Sequence, residues 1–251
     1  MLGDELRRIG YAVDVPAASM MPRAYLELHV EQGPVLEAEG VRIAAVTGVQ
    51  GISWTEFTID GQSNRAGTTP MSMRRDAGLL AARIALEARR IAVEAGPPQV
   101  ATVGLFDLSP GLANVVPERA RLTVDLRHTD ETQLAAAEER LMAAAQTAAR
   151  EEGCALSHCL LPRFSPVAFD SVLVGKVEAA AMARQLSVRR MPSGAGHDAQ
   201  MFAPNCPSAM IFVHSAKGLS NNIQERKYEA DLVAGAQVLL DVVPDLAGAQ
   251  T

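Results

Sequence analysis

Apolar and polar positions change rhythm along this chain, and the changes separate strands from helices. Residues 25–30, YLELHV, place Leu26 and Leu28 in alternation with Glu27 and His29, before the chain turns polar at Glu31 and Gln32 and reaches Gly33. A period of two marks a strand with one buried face. The same rhythm predicts strands at 52–61 (ISWTEFTIDG), 100–109 (VATVGLFDLS) and 119–130 (RARLTVDLRHTD, on Leu122, Val124 and Leu126), with a fourth at 154–161 (CALSHCLL). Between them the period lengthens. Residues 73–95 carry Leu79, Leu80, Ile84, Leu86 and Ile91 on a helical repeat, and the Ala-rich stretch 131–152 predicts a second helix. The order β-α-β-β-α-β is the split βαβ arrangement, a four-stranded antiparallel sheet with two helices on one face. It occupies residues 51–165.

The flanks read differently. Residues 1–50 predict a short helix, the 25–30 strand, a helix at GPVLEAEG with Pro34 suited to its first turn, and a strand at VRIAAVTGV. Residues 166–251 predict a helix at 171–186, a strand at 187–191, the turn PSGAGHDA, an apolar strand SAMIFVHS and a last helix from about 229. Apolar strands alternating with helices imply a mixed or mostly parallel sheet. Each flank is too small to be a comfortable domain alone. The expected fold class is therefore α/β: one mixed-sheet domain from 1–50 and 166–251, interrupted by a ferredoxin-like module at 51–165.

Composition narrows the function. A net charge of -6 gives no sign of nucleic-acid binding. No apolar run approaches the ~18 residues of a membrane span, and the charged start MLGDELRRIGYAVD lacks a signal-peptide core. Cys154, Cys159 and Cys206 are odd in number and lack CxxC spacing, which reads as a reduced, cytoplasmic protein with buried thiols.

Four stretches carry residues with chemistry. His29 ends a strand, where α/β proteins place their sites, and a neutral imidazole there can present a nitrogen to Zn²⁺ or Mn²⁺; a satisfied structural histidine is the other reading. GQSNRAGTTP (61–70) sets Arg65 in a loop where Thr68 or Thr69 can cap the next helix, whose N-terminus can hold an anion. GLANVVPERARLTVDLRH (111–128) puts Asn114 in a turn and Arg127 inside a strand, where a guanidinium suits either a ligand carboxylate or a surface ion pair. PSGAGHDAQMF (192–202) is a Gly-rich turn opening a helix, with backbone N–H groups able to cradle an oxyanion and His197 and Asp198 able to pair.

Together, LELHVEQGPVLE, GQSNRAGTTPMSMRRDA, NVVPERARLTVDLRH, PSGAGHDAQMFAPNCPSAMIFV and GLSNNIQER resemble consecutive motifs of the amidase, hydantoinase/carbamoylase family. That family includes N-carbamoyl-L-amino acid hydrolases and allantoate amidohydrolases, within the dinuclear-metal peptidase clan. The resemblance implies an α/β metal-binding domain interrupted by a smaller lid that dimerises, and zinc or manganese as cofactor. It implies that His29 is a metal ligand. It places Gln32, Asn114, Arg127, Gly196 and His197 at substrate-contacting positions, with Arg127 on the substrate carboxylate and the lid residues reaching the partner subunit's site.

Three departures qualify this. The chain starts after the segment in which the family carries its first metal-binding histidine, bridging aspartate, acidic ligand and general-base glutamate. GLSNN puts Asn221 where the family has its last histidine ligand. Arg65 stands where the family has an oxyanion-stabilising histidine; it keeps the cation but does not exchange protons near neutral pH. With His29 as the single recognisable ligand, the expectation is a chain that holds no dinuclear metal and is inactive by itself. It is either an enzyme completed by the missing half, cleaving the C–N bond of N-carbamoyl amino acids or ureido acids, or a non-catalytic dimeric remnant that binds or scaffolds.

Overall fold

The structure, a computed structural model, describes residues 1–14, 16, 22–220 and 222–248. After a short helix α1 (Leu2–Arg8), the chain forms β1 (Tyr25–Val30), α2 (Val35–Glu39), β2 (Ile43–Val49), β3 (Gly51–Asp60), β4 (Asn64–Arg65), α3 (Ala77–Ala95), β5 (Val100–Ser109), β6 (Val115–Val116), β7 (Arg119–His128) and α4 (Glu131–Glu152). Then come β8 (Ala155–Phe164), β9 (Val167–Ala168), α5 (Ser171–Ala183), β10 (Val188–Ser193), α6 (Asp198–Phe202), β11 (Ser208–Val213) and α7 (Glu229–Ala247).

The flanks build one mixed sheet in the order β1-β11-β2-β10, with β9 beside β2. β1 runs parallel to β11 and β10 parallel to β2, while β11 and β2 are antiparallel. All six residues of β11 are buried, as suits a strand covered on both faces. The alternation of β1 sorts its side chains. Leu28 lies under α7, where Gly235 lets helix and sheet approach: a Cβ there would meet Leu28 Cδ1 at 2.6 Å and Val213 Cγ1 at 2.7 Å. Tyr25, Glu27 and His29 point to the other face, where Tyr25 stacks on Phe202 of α6 at 4.2 Å between ring centroids.

The inserted module is antiparallel throughout, in the order β5-β7-β3-β8. One face of the sheet is covered by α3 and α4. Phe57, Ile59, Leu122, Val124 and Leu126 from the sheet meet Leu80, Ile84, Leu134 and Leu141 from the helices in a core of their own, each such side chain contributing about 1.5–3 kcal/mol on burial. The other face is uncovered and bears Trp54, Thr123, Asp125 and Arg127. Three aspartates fix the helix starts: Asp76, Asp130 and Asp170 accept the N–H groups of Leu79, Gln133 and Leu173, each cap stabilising by about 1 kcal/mol.

Several expectations change. α3 begins at Ala77, because Met71–Met73 closes a single 3₁₀ turn and Asp76 then caps the helix. Thr69 does not cap it; its hydroxyl donates to the Arg65 carbonyl. Of the apolar residues on its repeat, Leu79 and Leu86 are 44% and 71% exposed and join Val93 at seven-residue intervals on the outer face of α3. Cys154 and Cys206 are buried, but Cys159 is exposed.

Candidate active site

The site is built where β1 meets the turn between β10 and α6. His29 Nδ1 lies 2.9 Å from the Val30 carbonyl. A carbonyl only accepts, so Nδ1 carries the proton and the Nε2 lone pair is left free, the arrangement that orients ligand histidines. Glu27, two residues earlier, shares His29's face. Its Oε2 accepts the Ala199 N–H at 2.9 Å, and its Oε1 lies 3.5 Å from His197 Nδ1. His197 is held by Ser193, with Nε2 2.9 Å from Oγ, and its side chain is only 3% exposed. The two imidazoles meet edge to face at 4.6 Å, and Phe212 packs against His197 at 5.5 Å. Burial alone would raise the Glu27 carboxyl, but hydrogen bonds from His197 and the Ala199 N–H, with the charge of both imidazoles, outweigh it and hold its pKa below the ordinary value.

Glu27, His29 and His197 thus bring one ligand atom each to within 4.8 Å of one another. Bonds of about 2.0–2.2 Å to nitrogen and oxygen set donors roughly 3.4 Å apart in a tetrahedral site, a distance that small side-chain rotations reach. Two imidazoles and a carboxylate suit Zn²⁺ or Mn²⁺. The donor set therefore fits a metal, with His29 as one of the three candidate ligands. His197 pairs with Glu27 and Ser193, not with Asp198, which is exposed at the first position of α6.

The polar residues that follow His29 have other work. Glu31 is buried, and its carboxylate takes the Val35 and Leu36 N–H groups, capping α2. Gln32 sits at φ 59°, donates its backbone N–H to Ser215 and points its side-chain amide to Ser220 Oγ at 3.3 Å. Asn221 lies outside the described residues.

Arg127 reaches the site from the uncovered face of the inserted sheet. Its Nε lies 3.0 Å from both Asp125 oxygens, its Nη2 2.6 Å from Oδ2, and its Nη1 donates to the Gly194 carbonyl at 2.5 Å. Gly194 and Gly196 share the turn that carries His197. A Cβ on Gly196 would stand 3.5 Å from Gln200 Oε1, an ordinary contact. Arg65 and Asn114 come together elsewhere, on the small β4-β6 ribbon, where the Ala66 N–H donates to the Asn114 carbonyl. The bonds holding that ribbon stay within residues 64–74 and 112–116.

Sequence reasoning missed Glu27, Asp125 and Ser193. The first two had a signal: each lies two residues before a chosen residue in a strand, on the same face. Ser193 had none.

A mixed sheet that sets two imidazoles and a carboxylate together and is interrupted by a split βαβ module is the architecture the comparisons address. The chain belongs to Peptidase family M20/M25/M40, whose profile matches residues 9–245. It is 40% identical over 245 residues to an N-carbamoyl-L-amino-acid amidohydrolase of Rhizobium meliloti, covering 98% of this chain and 59% of that one. It is 36% identical over 248 residues to the allantoate amidohydrolase of Escherichia coli (strain K12), covering 97% and 60%. Among solved structures, an amidase of the hydantoinase/carbamoylase family from Burkholderia multivorans superposes with a TM-score of 0.92 at 41% identity, over 98% of this chain and 60% of that chain. The chain thus spans about three fifths of the length of these relatives, and the resemblance read from its motifs holds.

Proposed function

We propose that this chain serves a metal-dependent amidohydrolase acting on the C–N bond of N-carbamoyl-L-amino acids or of ureido acids such as allantoate. One observation carries the reading. The turn 193–197 is held at Gly194 by the guanidinium of Arg127 and presents His197 to His29 three residues later, so a carboxylate grip and a metal-ligand pair share one short loop. A bound Zn²⁺ or Mn²⁺ at His29 would polarise the scissile carbonyl and lower the pKa of an attacking water. Arg127 holds the substrate carboxylate and so sets which carbonyl faces His29. Gln32 and the Gly196 backbone line the approach, while Asn114 and Arg65, on the separate β4-β6 ribbon, would serve the partner subunit's site in the dimer, Arg65 as a cation for the developing oxyanion. In the carbamoyl case, water adds to the carbonyl and the products are the amino acid, ammonia and CO₂.

The test is ammonia release from N-carbamoyl amino acids and allantoate by the product of the whole gene, with Zn²⁺ or Mn²⁺ added and with chelator. Metal-dependent turnover is the expected result. No turnover with any metal, together with Arg127-dependent binding of the same compounds, would favour a non-catalytic binding protein instead.

The working form in this proposal is a cytoplasmic homodimer assembled through residues 51–165. Supporting the compartment, the three cysteines are free thiols, and no helix among the described residues is long and apolar enough to cross a membrane. Supporting the dimer, Leu79, Leu86 and Val93 form an exposed apolar stripe on α3, and β5 is an edge strand. Leu86→Lys should convert the dimer to a monomer by light scattering at micromolar concentration; a wild-type monomer would end this part of the proposal.

A further inference from the structure

The uncovered face of the inserted sheet has a hollow in it. Trp54 of β3 and Thr102 of β5 stand in register on either side of Asp125 in β7, and at this level both edge strands are irregular. On β5 the pairing skips Gly104, between Val103 and Leu105; on β8, Leu161 and Pro162 stand against the single residue Trp54. Bulges bend a strand and re-aim its side chains, and they gather beside active sites. Together these two open a pocket of about 290 Å³ lined by Trp54, Thr102, Gly104, Thr123, Asp125 and Leu161. It stays open because Gly104 has no side chain: a Cβ there would stand 3.5 Å from Thr123 Oγ1, with nothing else within 4 Å. The polar groups around it are spent elsewhere. Thr123 Oγ1 accepts the Leu105 N–H at 3.0 Å, and both oxygens of Asp125 are taken up by Arg127. What the pocket offers a ligand is the Trp54 indole, 38% exposed, and the Leu161 side chain.

From this we propose that the pocket receives the side chain of the substrate, and that the preferred ligands are N-carbamoyl amino acids with an aromatic or large aliphatic side chain. Asp125 joins the pocket to the carboxylate grip, since it lines the one and holds Arg127 of the other. The bonds from an amino-acid α-carbon diverge. With the carboxylate on Arg127 and the carbamoyl group turned to His29 past the 193–197 turn, the side chain is left to the uncovered face, where the pocket lies. Size agrees: a cavity of about 150 Å³ holds a benzene ring, so this one has room for a benzyl group. A ring placed there also gains from stacking on Trp54. A small polar ureido acid such as allantoate brings no such group. The inference rests on the amidohydrolase reading given above and narrows its substrate class, with Trp54 and Gly104 as the residues that set it.

The test is titration calorimetry of the chain with N-carbamoyl-phenylalanine and with N-carbamoyl-glycine. The emission of Trp54, the chain's single tryptophan, is followed in the same titrations. The phenylalanine compound should bind about tenfold more tightly or better and should shift the Trp54 emission, which the glycine compound should barely move. Gly104→Leu fills the pocket and should bring the ratio of the two affinities to about one. Gly104→Ala, whose Cβ has room, should keep most of it, and Trp54→Ala should lower it several-fold. Because Trp54 is already part-exposed, Trp54→Ala answers the question even if Gly104→Leu fails to fold, which its amide spectrum would reveal. Equal affinities for the two compounds, both lost in Arg127→Ala, overturn the pocket and leave the amidohydrolase reading standing. Binding of neither compound overturns the proposal too, while turnover by the product of the whole gene judges the broader reading separately. A Trp54 emission that follows protein concentration and ignores ligand puts a second copy of the chain in the pocket, and the proposal falls.

Discussion

Replacing Phe212 with alanine is expected to cost the main domain about 3–5 kcal/mol, the usual range for deleting a buried aromatic ring. Phe212 is 1% exposed, in a strand whose six residues are all buried. It stands in register opposite His29, and its ring lies 5.5 Å from that of His197. The cavity would open between two neighbouring strands, β1 and β2, and beneath a metal-ligand candidate. Urea unfolding followed by far-ultraviolet circular dichroism measures the loss. Trp54, the chain's single tryptophan, lies in the inserted sheet, so its fluorescence reports that module separately and should shift less. A loss below about 1 kcal/mol would mean that the sheet closes around the gap and that Phe212 does not anchor this part of the core.

Arg127→Ala should weaken binding of N-carbamoyl-alanine by roughly 10²–10⁴-fold, since a guanidinium fork makes two charge-assisted hydrogen bonds of about 1.5–3 kcal/mol each. The structure adds a condition. The guanidinium is already engaged by the Asp125 carboxylate and the Gly194 carbonyl, so a ligand must take donors over from a resident carboxylate. Arg127→Lys keeps the charge but not the fork and should lose most of the same affinity. Asp125→Asn removes the competing charge and should tighten binding. Titration calorimetry with N-carbamoyl-alanine and with its uncharged amide separates the cases: only the acid should respond to these changes. Equal affinity of wild type and Arg127→Ala for the acid would make Arg127 a latch between the two sheets and nothing more.

Much of the fold was legible because strands with one buried face write their period into the sequence. Leu122, Val124 and Leu126 predicted the buried face of β7, and α4 runs over the residues its Ala-rich stretch marked. The outer face of α3 was harder. Its apolar residues extend round more than the stripe facing the sheet, so the helical repeat did not separate exposed Leu79 and Leu86 from buried Leu80, Ile84 and Ile91. The candidate site was legible only in part. His29 stood out by motif, and Arg127 by being a cation in an alternating strand. Glu27 was in plain view on the face of His29, but its carboxylate gains meaning only beside His197, and the pairing of β1 with β11, which brings α6 across β1, is a long-range choice that no local pattern encodes. Ser193 is an ordinary strand-end serine until the turn folds back over it.

The chain leaves the main sheet and comes back to it at one spot. β2 passes into β3 through Gln50 alone, and β9, which follows β8 after two residues, lies against β2 with Ala168 opposite Gly48. Pro166 already touches Gly51, where a Cβ would come within 2.7 Å of its ring. A segment whose ends meet in this way behaves as a cassette. Cutting out residues 51–165 leaves two ends that a few residues can splice at small loop-closure cost, and a module of another size can be pasted into the same gap without restringing the host sheet. Recombination acting on a gene of this design can exchange the inserted module while the host sheet, with Glu27, His29 and His197, is inherited whole.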